Sequence, residues 1–372
     1  VKAQSSAAAQ DGLAASAALR AAVTPDNIIR HLAALQAIGD ENGGNRAAST
    51  AGHEASVDYV AGQLRQAGYQ VRFEAVEIPI VQETQPPRLT VSTEFGLHLR
   101  DFQLRTLPYS AAGSLEAPLQ PAGDGCEKAD FARLSSGSIA LLQSGSCSAW
   151  RKVRNAAAAG ADAVIVYDRR SDRMPPIITQ RVGEMTAIPG VRLDHATGLM
   201  LAEALRRGPV TVQLKVETRA FSYDSRNVIA ETAGGDPGAV VLIGAHLDSV
   251  PEGPGINDNG SGSAVVLETA LRMAELGGGE RPANRVRFAF WGAEEVGLVG
   301  SRHHLQSLPE EERGRLAAVL NFDMVGSPNP ARLVYDGPAA IGRVFRDYFD
   351  SAGLEAGSTP MRGGSDHAPF AR

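Results

Sequence analysis

The sequence predicts an α/β protein with a mixed, mostly parallel central sheet flanked by helices, interrupted by a smaller inserted α/β domain. Three observations lead there. Continuous apolar runs such as GAVVLIGAH (238–246) have the pattern of a central strand covered on both faces. Such runs alternate with helical patterns: GAVVLIGAH, SGSAVVLETALRMAELG (261–277), then RVRFAFWGAEE (285–295) read strand, helix, strand, the order that gives a mostly parallel sheet. The composition also shifts after QETQPPRL (82–89), where Pro and Gly become frequent, and the character of the first eighty residues returns near Tyr223.

Taken in order, residues 1–24 are small and polar without an apolar core, so a disordered segment is expected, following either a removed signal peptide or a lost start. TPDNIIRHLAALQAIG (24–39) opens on Thr24 and spaces its apolar residues by three and four, which predicts an amphipathic helix. TAGHEASVDYVAGQLRQAGY (50–69) predicts a second helix closed by Gly68, and QVRFEAVEIPIV (70–81) alternates as a half-buried strand does. Inside the insertion, assigned to 82–220, GSIALLQSG, SAWRKVRNAAAAGA and DAVIVYD (137–168) form a strand–helix–strand piece. A further strand and helix follow in TAIPGVRLDHATGLMLAEAL (186–205), and GPVTVQLKVET (208–218) closes by alternation. The larger domain, 25–81 with 221–372, then resumes through the three strands that end at His246, at Glu294 and Glu295, and at Asp323 in LAAVLNFD (316–323).

A chain of 372 residues, 43% hydrophobic, can bury a sizeable core, and its length suggests two or three domains. The net charge of −6 disfavours a nucleic-acid or anionic-membrane partner, and no apolar run approaches the ~20 residues that cross a bilayer. Cys126 and Cys147 are the only cysteines. From composition alone both a disulfide, with the oxidising compartment it implies, and a pair of buried thiols stay open.

The chemistry gathers at the strand ends. In open sheets of this kind ligands sit beyond the carboxyl ends of the strands, and three strands deliver His246, Glu294, Glu295 and Asp323 there, while the glycine-rich GAHLDSVPEGPGINDNGSGSA (244–264) turns back to bring Asp258 beside His246. So many acids at one edge would repel one another unless a cation neutralised them. One imidazole with several carboxylates suits zinc, or else manganese or cobalt, in a catalytic site, with two metals sharing one carboxylate as one arrangement. Asp248, two residues from His246 on an extended chain, can face the same way and orient the imidazole. Glu252 reads as a loop acid, and His31, His53, His98, His195, His303 and His304 read as surface or packing residues.

Four ordered motifs, GAHLDSV…GPGINDNGSGS, FWGAEEVGLVGS, LNFDMVGSPNP and GGSDHAPF, resemble the zinc aminopeptidases of peptidase family M28, close to the bacterial secreted branch. The middle region is similar to the protease-associated (PA) domain that members insert at this place. The resemblance implies a zinc exopeptidase fold in which His246 and Asp323 bind one zinc, Asp258 bridges two, Glu295 binds the second and Glu294 is the general base. It implies a Cys126–Cys147 disulfide, peptide substrates with a free N-terminus, and a secreted or periplasmic location. It also implies a further zinc histidine downstream of SDHAPF. The sequence ends at Arg372, so a C-terminally truncated piece is expected, with a weak or empty second metal position. His367 lies upstream of that ligand and is not assigned to metal. The alternative reading is a non-catalytic interaction scaffold, since relatives of this fold keep the scaffold and lose the metals.

Overall fold

The computed structural model describes residues 16–96, 98–99, 104–170, 186–276, 282–361 and 364–371. The first fifteen residues of the segment expected to be disordered, and the helix stop expected at Gly277, lie outside them; within that segment Ala17–Ala22 forms a short helix, α1. The chain divides into two compact units, residues 1–78 with 224–372, and residues 79–223.

Helix α2 (Pro25–Glu41) starts because the Thr24 side chain accepts from Asn27 N and Pro25 is preset for the first turn. Thr50 caps α3 (Ala51–Gln66) in the same way. The strand β1 (Val71–Thr93) runs well past the expected alternating stretch and out of the first unit.

In the second unit, β2 (His98–Leu99) pairs with the end of β1. The rest of its sheet comprises β3 (Leu104–Thr106), β4 (Gly113–Pro121), β5 (Ile139–Gln143), β6 (Ala163–Tyr167), β7 (Gly190–Leu193) and β8 (Val210–Glu231). The order is β8–β4–β5–β6–β7–β3, with β4 to β7 mutually parallel. Helices α4 (Ala149–Ala158) and α5 (His195–Arg207) cover it, the first packing Val153 and Ala156 against Ala140 and Val164, the second packing Leu201 and Ala204 against Ile165 and Leu119. A disulfide joins Cys126 to Cys147.

Back in the first unit come β9 (Asp236–His246), α6 (Gly262–Leu276), β10 (Asn284–Trp291), α7 (Val299–Ser307), α8 (Glu310–Gly314) and β11 (Leu316–Asn321). The sheet order is β11–β9–β10–β8, with β11, β9 and β10 parallel and β8 antiparallel to β10. One face buries Val286, Phe288 and their neighbours under α2, α3 and α6 through Leu35, Val57, Leu64 and Leu267; the other buries Ile229, Leu242, Ala289 and Trp291. A small parallel pair, β12 (Leu333–Tyr335) and β13 (Gly357–Thr359), with α9 (Ala339–Ser351) between them, follows.

Register aims the site. Trp291 lies opposite His246, and Asn321 lies opposite Gly244. The three parallel strands therefore finish at nearly one level, and the residues just beyond them, Glu294, Glu295 and Asp323, emerge on the same edge as His246.

Candidate metal centre

His246 ends β9 with its side chain almost wholly buried, and its Nε2 lies 3.2 Å from Asp258 Oδ1, 3.5 Å from Asp323 Oδ1 and 4.0 Å from Glu294 Oε2. Among the described residues two groups can share a cation: His246 with Asp258 and Asp323, and His246 with Glu294 and Glu295, the donor atoms of each lying within 4.8 Å of one another. His246 Nε2 and Asp323 Oδ1 are buried yet make no hydrogen bond of good geometry among the described residues. Burying such atoms without a partner is costly. A cation between them removes that cost, so the donor set fits zinc or a similar metal.

Each ligand candidate is held by its own local structure. The peptide turns after β9 with Gly255 at φ 58°, where a side chain's Cβ would sit 2.2 Å from Asp258 O, so only glycine lets the loop fold back. The turn Ile256–Ser261 is a wide helical one interrupted by non-helical Asp258 and Asn259, which swings the Asp258 carboxylate back toward His246. Asn259 then clamps the neighbouring segment, donating to Phe322 O at 2.9 Å and accepting from Met324 N at 3.3 Å, on either side of Asp323. Ser365 donates to Asp323 Oδ2 at 2.6 Å and accepts from Asn321 at 2.8 Å.

Asp248 is fully buried and faces two ways. Its Oδ1 stands 3.6 Å from His246 Nδ1, and its two oxygens accept the backbone N–H groups of Glu294 at 3.0 Å and Glu295 at 3.2 Å. Asp248 thus meets the imidazole through its main-chain oxygen, 3.2 Å from His246 Nδ1, while its carboxylate holds the backbone that carries both glutamates.

Burial and crowding of like charge set the protonation of the site. Burial pushes the Glu294 carboxyl up to about 9, with Asp366, Asp248 and Asp323 adding to it, and burial with Asp258 nearby pushes Glu295 up to about 7. His246 resists charge through burial, yet Asp248, Asp258 and Asp323 together hold its pKa well above the usual imidazole range. Burial opposes ionisation of Asp323 too, but His246 and Ser365 keep its pKa below the ordinary carboxylate value.

Of the residues singled out from sequence, His246, Asp258, Glu294, Glu295 and Asp323 are brought together, with Asp248 beneath them. Glu252 is exposed in the loop and belongs to neither donor group. His367 is also outside both groups; its ring packs on Tyr335 with centroids 4.8 Å apart. His31 and His304 are buried packing residues, His304 lying between Glu74, 2.9 Å from Nδ1, and Arg287, 3.2 Å from Nε2.

Two residues escaped the sequence reading. Arg46, fully buried, donates to Leu247 O, to Pro254 O at 2.7 Å and to Gly255 O at 3.0 Å, pinning both limbs of the loop that carries Asp258. Asp366 is 1% exposed, accepts from Ser301, and is pushed up to about 7 by burial, with Asp248 and Asp323 contributing. The motif SDHAPF contained Asp366, but only the fold reveals its burial beside the site.

A cation cage of one imidazole and several carboxylates, set beyond the carboxyl ends of parallel strands, defines a metal-dependent hydrolase. Residues 227–372 match peptidase family M28, and residues 111–201 match the PA domain. An aminopeptidase of Pseudomonas aeruginosa (strain UCBPP-PA14) is 40% identical over 372 residues, covering 92% of this chain and 68% of that protein. An aminopeptidase from Aneurinibacillus sp. strain AM-1 superposes with a TM-score of 0.75 at 28% identity, over 95% of this chain and 84% of that one. BSAP, a zinc aminopeptidase from Bacillus subtilis, gives a TM-score of 0.58 at 31% identity, over 93% and 81% respectively. The chain belongs to peptidase family M28.

Proposed function

We propose that in this zinc-dependent aminopeptidase His246, Asp258 and Asp323 hold one zinc, that Asp258 is shared with a second zinc bound by Glu295, and that Glu294 is the general base. The observation that carries the reading is the convergence of these five side chains on one sheet edge. Zinc held there supplies a Lewis acid that polarises the scissile carbonyl and acidifies water toward a pKa of ~7. Glu294 takes a proton from the attacking water on a carboxylate oxygen and returns it to the departing amine. Its raised pKa in the metal-free site makes it a willing proton carrier once a cation offsets its neighbours. Asp248 keeps His246 and the Glu294 backbone in register, and Ser365 fixes the rotation of the Asp323 carboxylate. The retained acids leave no observation in favour of a non-catalytic scaffold.

The substrates are peptides with a free N-terminus. The catalytic domain is assigned to 25–81 and 221–372 and the PA domain to 82–220, a division supported by the two compact units. The Cys126–Cys147 disulfide supports an exported protein, secreted or periplasmic. Among the described residues no helix is long and apolar enough to cross a membrane.

Zinc-loaded protein is expected to release p-nitroaniline from leucyl p-nitroanilide, to lose that activity with a chelator, and to leave the N-acetylated substrate intact. Equal cleavage of the acetylated substrate would contradict an aminopeptidase.

The electrostatics predict a pH signature. Glu294 and Glu295 have folded pKa values above their unfolded ones, so between about 4.5 and those values the folded metal-free chain binds more protons than the unfolded chain. These groups make stability fall there as pH rises, and His246 and Asp366, both raised above their unfolded values, add to the trend, while His31 and His53, whose pKa burial lowers, oppose it below about 6.5. Melting temperature in chelator is expected to drop from about pH 5 to about pH 9, with zinc stabilising more at the higher pH because bound protons no longer compete. A zinc-induced shift independent of pH would refute this account of the site.

A further inference from the structure

In the second unit the two sulfurs of the disulfide are not equivalent. Cys126 is buried at 9% exposure, and the ammonium of Lys152, itself 1% exposed on α4, donates to Cys126 Sγ at 3.4 Å and to the Asp124 carbonyl. Cys147 is only partly buried and stands in the turn just before Ser148, the residue that caps α4. The nearby carboxylate of Asp124 is taken up by Ser146 and by Arg169 at 3.1 Å, which leaves the Lys152 ammonium directed at sulfur and backbone oxygen.

Thiol–disulfide exchange proceeds by attack of a thiolate on one sulfur while the other leaves as a thiolate, so access selects the sulfur attacked and stabilisation of the leaving anion sets the rate. Both factors select the same direction here. We propose that Cys147 is a site of reversible mixed-disulfide formation with a low-molecular-weight thiol, Cys126 departing as a thiolate held by Lys152. The external thiolate sulfur bonds to Cys147 Sγ, the Cys126–Cys147 bond breaks, and its electron pair goes to Cys126 Sγ. One disulfide is exchanged for another with no further oxidant or reductant. The reverse step, attack of Cys126 on the mixed disulfide, expels the external thiol and restores the bond. Burial lowers the pKa of Lys152, with Asp124 opposing the shift, so its ammonium can also share a proton with the leaving sulfur more readily than an exposed lysine could. The bond is therefore a polarised, exchangeable link and not only a staple.

The test uses the folded, oxidised full chain, glutathione as the thiol, iodoacetamide to trap free thiols, and peptide mass mapping. Glutathione is expected on Cys147 and the alkyl group on Cys126, in a ratio of about 10:1 or more, since the paths compete through leaving-group stability and access. Lys152→Met, checked for folding by circular dichroism and for an intact disulfide by thiol titration, is expected to slow adduct formation about tenfold, and Lys152→Arg to retain most of the rate. Adducts mainly on Cys126, an even mixture, or no adduct in the wild-type chain would each overturn the proposal. So would a folded Lys152→Met variant that reacts as fast as wild type. If Lys152→Met does not fold, the distribution in the wild-type chain decides alone.

Discussion

Replacing Glu294 with Gln is expected to lower kcat by about 10²–10⁴-fold, the usual contribution of a positioned general base, while zinc content stays at the wild-type level. The side chain is nearly isosteric, and the Glu294 backbone would still be fixed by its N–H bond to Asp248. Glutamine cannot accept and return a proton at neutral pH, so the loss falls on turnover and not on metal loading. His246, Asp258 and Asp323 form one of the two donor groups without Glu294, although its Oε2 lies 4.0 Å from His246 Nε2. Zinc content by atomic absorption, measured beside kcat and KM, separates the roles. Zinc lost in proportion to activity would make Glu294 a ligand instead.

The second large effect is expected at a residue remote in sequence from every motif. Arg46→Met should destabilise the protein by about 2–3 kcal/mol, because Leu247 O and Pro254 O lose the guanidinium donor at ~1 kcal/mol or more each, and Gly255 O is left with the N–H of Gly260 alone. The fork of Arg46 spans Leu247 O on one side of the loop and Pro254 O and Gly255 O on the other, and its backbone N–H also reaches Ser249 Oγ at 3.0 Å. Burial lowers its pKa to about 10, with Asp248 opposing that shift, so removing the guanidinium also strips Asp248 of a favourable charge. Zinc affinity is expected to fall together with stability, because the loop positions Asp258. Arg46→Lys keeps the charge but not the fork and should fall between the two. Urea denaturation with and without zinc measures both effects; a Met variant as stable as wild type would remove Arg46 from the site's support.

The main strands and helices were legible because their signals are local. Apolar runs bounded by turn residues read as covered strands, and the acids at their ends stood out because a charged residue directly after such a run must emerge at a sheet edge. Less was legible in α7, where the buried face is Gly300, Ser301 and His304, small and polar residues that a hydrophobic period passes over. The fold accommodates His304 through Glu74 and Arg287, partners far from it in sequence. Likewise the alternating stretch at 70–81 read as one short strand, whereas β1 continues to Thr93.

What could be read from the sequence by itself was the order of elements, a change of character where the middle region begins and ends, and a set of acids and one imidazole near strand ends, to which the resemblance to peptidase family M28 attached the roles proposed here. The tertiary structure alone decided that His246, Trp291 and Asn321 finish at nearly the same level, that the Asp248 carboxylate accepts from the backbone amides of Glu294 and Glu295, and that Arg46 and Asp366 belong to the surroundings of the site. Register and burial arise from contacts between segments tens to hundreds of residues apart, and no local pattern encodes them.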